Sequence, residues 1–162
     1  MGSIGVSYTY TEPLAGYEYV RDCTAIVHDR GMVNVLVTNG TVEERPWQEL
    51  LPCLDAANID LKGFTPEWYC RLGGDLDTAK RFIALAAEQC HVEVTTLLVP
   101  GENDSGAEIR ALAKWLASVS QEIPLHLSRF FPWYQMQDRF CPSICKSGSA
   151  TQTRISQQGL SF

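Results

Sequence analysis

Positive charge is scarce in this sequence. Thirteen Lys and Arg stand against 19 Asp and Glu in 162 residues, a net charge of −6. Sequence-independent binding to nucleic acid needs clustered cations to neutralise phosphates, so the charge argues against that class of partner. No apolar run approaches the roughly 20 residues of a membrane span. The first ten residues, MGSIGVSYTY, hold no basic region followed by an apolar one, so a secretory signal is not legible there. These absences predict a cytoplasmic protein with neither membrane nor nucleic acid among its partners.

Cysteine is spread thinly. Of Cys23, Cys53, Cys70, Cys90, Cys141 and Cys145, only the last two are close enough to suggest a motif. The other four fall in helical or strand-edge segments, where a Cys acts as a small hydrophobe. Without a secretory context no disulfide framework is expected. Acidic residues are missing altogether after Asp138, where Ser, Thr and Gln take over. Residues 139–162 are therefore expected to be a poorly ordered or aberrant tail, and 1–138 one domain with a core of useful size.

What is present is an alternation of strand and helix. Strand runs occur at 6–11 (VSYTYT), 33–38 (VNVLVT), 56–61, 91–99 (HVEVTTLLV) and 124–131 (PLHLSRFF). After the first, residues 14–30 place Tyr17, Val20, Cys23 and Val27 on one helical face and stop at Gly31. A short helix is predicted at 46–51, and Thr65-Pro66-Glu67 reads as a helix start with proline in the first turn. Leu76, Ala79, Ile83, Ala86 and Cys90 step at three and four residues. Ser105 and Glu108 form a capping-box pattern ahead of Ile109, Leu112, Leu116 and Val119. Repeated β–α order means parallel strands with right-handed crossovers, hence an α/β fold.

The strand faces narrow the architecture. Asn58, Asp60 and Lys62 share one face of the third strand, Glu93 and Thr95 one face of the fourth, His126 and Ser128 one face of the fifth. Glu12 has the parity of Tyr8 and Tyr10 in the first. A doubly wound sheet would read as continuously apolar strands, and a filled barrel would be apolar inside. The pattern predicts a partial (β/α) barrel of about five parallel strands, helices outside, with a polar interior that binds a ligand at the carboxyl ends of the strands.

Taken singly, each candidate has a plainer reading. Glu12 suits the start of a helix, Asn39-Gly40 suits a turn, and Asp60 with Lys62 suits a structural ion pair. His28 lies near a helix end and His91 at a strand edge.

The set YTYTEP, LVTNG, NIDLKGF, HVEVTTLLVPGEND and PLHLSRFFP resembles the radical S-adenosylmethionine (SAM) enzymes of the AmmeMemoRadiSam type. These are relatives of the pyruvate formate-lyase activating enzymes. The resemblance covers 4–138 and implies an incomplete barrel that holds SAM beside a [4Fe-4S] cluster. By that similarity Thr11 and Glu12 hold the SAM amino group, and Thr38 and Asn39 stand near the ligand or a monovalent cation. Asp60 and Lys62 meet its ribose and carboxylate region, Thr95 and Leu97 line the next strand, and His126 belongs to the last.

One departure is expected to matter. The family holds its cluster through CxxxCxxC after an earlier strand, and this chain has no such spacing. Cys141 and Cys145 lie beyond the last strand, and the third position is Gly148. The resemblance thus implies a fragment with most of the SAM cleft, binding SAM weakly or not at all. The cluster would belong to the parent family only. The parent would cleave SAM reductively to a 5′-deoxyadenosyl radical for hydrogen abstraction, whereas this chain alone would be inactive. Two other readings are a Schiff-base lyase using Lys62, with Asp60 or Glu93 as proton carrier, and a non-catalytic module for a nucleotide or partner. The aromatic first strand, left as an edge, is expected to promote self-association.

Overall fold

The computed structural model describes residues 2–133 and the backbone of 151–153. In chain order the elements are β1 (Gly5–Tyr8), a 3₁₀ turn (Pro13–Gly16) leading into α1 (Tyr17–Asp29), β2 (Val33–Thr38) and α2 (Glu44–Leu50). Next come β3 (Ala56–Asp60), α3 (Pro66–Arg71), α4 (Leu76–Ala87), β4 (His91–Leu98), α5 (Gly106–Val119), β5 (Leu125–Arg129) and β6 (Thr151–Thr153).

The sheet runs β1-β2-β3-β4-β5-β6, the first five strands parallel and β6 antiparallel to β5. Each parallel strand is added on the same side of its predecessor. Right-handed crossovers in that progression put the helices on one face. Leu36, Ala57, Ile59, Val92, Val94 and Leu125 fill that face and belong to one core with Val20, Trp47, Ile83, Leu112 and Leu116. Alternation then sends Val37, Asn58, Asp60, Glu93, Thr95 and His126 to the other face, where they are partly exposed. The predicted α/β architecture, a partial barrel of five parallel strands with outer helices, is what forms.

Helix boundaries follow local chemistry. Asp75 caps α4 by accepting from the Thr78 N–H at 2.7 Å. Gly31, with φ +67°, lets the chain leave α1 and donates to the His28 carbonyl. Two expectations change. The helix expected over 14–30 opens as a 3₁₀ turn, because Glu12 accepts from the Leu14 N–H and fixes a tight start. The capping box at Ser105 is only half made: Ser105 Oγ accepts from the Glu108 N–H at 3.1 Å, but the Glu108 carboxylate goes to the Phe64 N–H instead.

A buried polar cluster escaped the pattern reading. Asn34 sits fully buried on the helix-facing side of β2. Its Nδ2 donates to the Thr24 and Cys53 carbonyls, and its Oδ1 accepts from the Tyr8 hydroxyl at 3.0 Å. Its backbone N–H donates to Asp55. Asn34 thus ties β1, α1, β2 and the turn before β3 together.

The expected tail falls almost wholly outside the described residues, as do Cys141 and Cys145; Thr151–Thr153 pair with Leu125, His126 and Leu127. Among the described residues no helix is long and apolar enough to cross a membrane.

Replacing Asn34 by Leu leaves the buried Tyr8 hydroxyl without its acceptor and the Thr24 and Cys53 carbonyls without their side-chain donor. A loss of about 2–4 kcal/mol is expected, at roughly 1–3 kcal/mol per orphaned group with partial relaxation. Urea unfolding checks this, and a change under about 1 kcal/mol would contradict the tie.

Candidate functional site

At the carboxyl ends of the first three strands the chain encloses a cleft of about 290 Å³. Thr11, Glu12, Thr38, Asn39, Asp60 and Lys62 all line it, together with Thr9, Tyr10 and Val37. Six residues singled out in the sequence therefore meet in one place. Thr95, Leu97 and His126 do not line it. They lie on the same face of β4 and β5, where Thr95 is paired with both Asp60 and His126.

Glu12 reaches the cleft by a route that strand parity misread. Tyr8 faces the helices with its hydroxyl on Asn34, β1 ends there, and Tyr10 takes a left-handed backbone (φ 48°). A turn, not alternation, delivers Glu12. Its carboxylate accepts from the Thr38 hydroxyl (2.6 Å), the Asn39 N–H (2.7 Å) and the Leu14 N–H (3.1 Å). It both starts the helical turn and staples the exits of β1 and β2. Asn39 likewise keeps its turn role: its Oδ1 accepts from the Thr41 N–H at 2.8 Å. Gly40 has φ +70°, and a Cβ there would press on the Phe82 ring at 3.2 Å.

The charge in the cleft is an ion pair. Lys62 Nζ donates to Asp60 Oδ2 at 2.7 Å, with both side chains about 40% exposed (42% and 40%). Such a half-exposed pair contributes about 0–1 kcal/mol, so it costs little to open toward a ligand. The backbone beneath it is held far more firmly. The Lys62 N–H donates to the Tyr69 hydroxyl (3.1 Å), Trp68 Nε1 donates to the Lys62 carbonyl (2.8 Å), and the Phe64 N–H donates to Glu108 (2.6 Å). Between them Gly63 lies under the Trp68 ring, where a Cβ would come within 2.5 Å of it. Trp68, Tyr69 and the buried Asn103 were not singled out in the sequence, and Glu108 was read only as a helix cap. The trace of Trp68 and Tyr69 was an aromatic pair just inside the helix that opens at Pro66.

Beside the cleft runs a hydrogen-bonded belt across β3, β4 and β5. The Thr95 hydroxyl donates to Asn58 Oδ1 (3.0 Å) and Asn58 Nδ2 reaches Glu93 (3.4 Å). His126 Nε2 lies 3.1 Å from the same Glu93 oxygen, and His91 Nε2 is 3.6 Å from the other. Among the described residues no group of three or more His, Cys, Asp or Glu could hold a metal. Cys23, Cys53, Cys70 and Cys90 are free and lie on separate segments.

Burial pushes the Tyr69 phenol up to about 12, with Asp60 adding to the rise and the Lys62 N–H opposing it. An unfolded chain releases that proton near 10 while the folded one keeps it, so stability is lost as pH climbs from about 10 to 12. The Tyr69 share is up to roughly 3 kcal/mol. Urea titrations at pH 9 and 11.5 should show a smaller pH dependence for Tyr69→Phe than for the wild type. Equal dependence in the two proteins would contradict the burial of the phenol.

Comparisons with known proteins bear on the fold and the family. The family model of the Radical SAM superfamily matches residues 1–116. An uncharacterized protein of Methanocaldococcus jannaschii, MJ0808, is 39% identical over 140 residues, covering 83% of this chain and 40% of its own length. A second from the same organism, MJ0804, is 34% identical over 121 residues, covering 72% of this chain and 42% of its own. The chain thus spans about two fifths of the curated relatives it matches. A crystal structure of a domain of pyruvate-formate lyase-activating enzyme from Bacteroides vulgatus superposes with a TM-score of 0.71 at 20% identity, covering 88% of this chain and 87% of that one. Archaeal TYW1 superposes at 0.57 with 18% identity, covering 78% and 43%. At such identities the two structures speak for the fold, and with the family match they lead to one statement: this chain belongs to the radical SAM superfamily.

Proposed function

We propose that the cleft at the ends of β1, β2 and β3 binds the amino-acid end of SAM, and that the chain is the SAM-cleft portion of an enzyme of the AmmeMemoRadiSam type. The observation that carries this is the convergence of Thr11, Glu12, Asn39, Asp60 and Lys62 on one 290 Å³ cleft. An α-amino acid is a zwitterion, and the cleft offers both signs. Lys62 suits the carboxylate, while Asp60, released from its ion pair, and the Glu12 rim suit the ammonium. In radical SAM enzymes SAM supplies the adenosyl group used for hydrogen abstraction. The described thiols do not fit a cluster, which needs three thiolates in one place. The role proposed for this chain is therefore to bind and orient.

The Schiff-base reading finds no support. A lysine nucleophile works as a neutral amine in a desolvated pocket, whereas Lys62 is half-exposed and bonded to a carboxylate.

Self-association through β1 is a further part of the proposal. Ile4, Val6, Tyr10, Tyr19 and Ile26 are exposed, and all but Ile4 line a groove of about 570 Å³ between β1 and α1. An outward strand edge of this kind is a template for pairing. Light scattering should show a concentration-dependent dimer that Val6→Lys abolishes. A monomer at every concentration, with slow amide exchange at residues 5–8, would contradict it.

For the cleft, calorimetry on the isolated chain should give a SAM dissociation constant no tighter than about 0.1 mM, or 5 to 6 kcal/mol. Lys62→Ala should weaken it about tenfold. An unchanged affinity in that variant would overturn the assignment.

A further inference from the structure

Beside the cleft, β3 and β4 part just beyond Asp60. Their register pairs Asp60 with Thr95, and the last bond between them is Leu61 N–H to the Thr95 carbonyl at 2.9 Å. Continued by two residues, the same register would set Lys62 opposite Leu97. At that point β4 goes on pairing with β5, through Leu97 with Ser128 and Leu98 with Arg129. The strand exits diverge there, and the Lys62 and Leu97 carbonyls must find other donors.

Asn103 serves both, sharing the Lys62 carbonyl with Trp68 Nε1 and bridging it to the Leu97 carbonyl. It is 2% exposed, in the loop that follows β4. Its Nδ2 donates to the Lys62 carbonyl at 2.7 Å and to the Leu97 carbonyl at 2.9 Å. Its Oδ1 accepts from the Val99 N–H at 2.7 Å. The side-chain amide uses two donors and one acceptor in three directions, a combination found only in Asn and Gln. The loop carrying it is closed on itself by Glu102 N–H to the Val99 carbonyl and Gly101 N–H to Asp104. It is also joined to α3 by the Arg71–Glu102 ion pair.

We propose that Asn103 is a positioning residue for Lys62: its amide stands in for the missing ladder at the Lys62–Leu97 step and sets how far β3 and β4 part. The loop at 99–104 and the backbone of Lys62 then move as one body. A ligand bound by the Lys62 ammonium is sensed in that loop, 41 residues away in sequence. The inference rests on the reading of Lys62 as a ligand-binding group only where affinity is measured.

Asn103→Asp is the discriminating variant, because it keeps an acceptor for the Val99 N–H and loses both donors. Lys62 is followed by the NMR signal of its reductively ¹³C-methylated amine, assigned with Lys62→Arg, with SAM as the probe ligand. Asn103→Asp should leave the Val99 amide slow to exchange, move the Lys62 resonance toward that of a free lysine, and weaken SAM about tenfold. A Lys62 resonance and affinity unchanged in Asn103→Asp would overturn the proposal. So would equal changes in Val27→Ala, a core variant remote from the cleft. Should Asn103→Asp fail to fold, the wild type decides. Through-hydrogen-bond couplings from Asn103 Nδ2 to the Lys62 and Leu97 carbonyl carbons are expected, and their absence overturns it. If the wild type binds no SAM, the cofactor reading fails, while the Lys62 resonance still judges the positioning role.

Discussion

Five parallel strands laid down in one direction leave a right-handed crossover a single side on which to pack, and that constraint governs the rest of the molecule. Helices collect on one face, and the apolar positions of every strand follow them there. The other face is left for side chains with no core to join. The alternation that buries Ile59 and Val94 turns Asp60 and Thr95 outward. The polar belt from Asn58 to His126 is thus the second half of the pattern that makes the core, not a separate addition to it.

The same constraint explains why a site forms at the strand ends. Parallel strands deliver their carboxyl termini to one rim, and each of the first four turns there toward a helix. Those turns demand side-chain partners for backbone groups that the ladder no longer serves. Glu12, Asn39, Tyr69, Trp68 and Asn103 meet that demand. The result is a stiff rim on which Lys62 and Asp60, whose side chains among the described residues are tied only to each other, are the adjustable groups.

Much of this was legible in the sequence, and the limits have physical causes. The β–α order, the stop at Gly31 and the polar faces of β3 to β5 are periodic or local signals, and they survive folding. Parity failed at β1 because alternation ends with the strand at Tyr8, and a turn at Tyr10 resets direction before Glu12. Asn34 was hidden inside a β-branched strand, since nothing local marks a buried amide whose partners come from α1 and the turn before β3. Glu108 read as a cap by spacing, yet its carboxylate bonds Phe64, 44 residues earlier. Asn103 has no periodic signature at all, because its role exists only once two strands diverge.

The central claim is that the cleft beside Lys62 is where this chain meets SAM. Backbone amide shifts during a SAM titration, followed to saturation at millimolar ligand, test it most directly. The account predicts the largest changes at Asn39, Lys62 and Gly63, with smaller ones along β4 at Thr95. Changes confined to the groove between β1 and α1, or none near Lys62 at saturation, would contradict it.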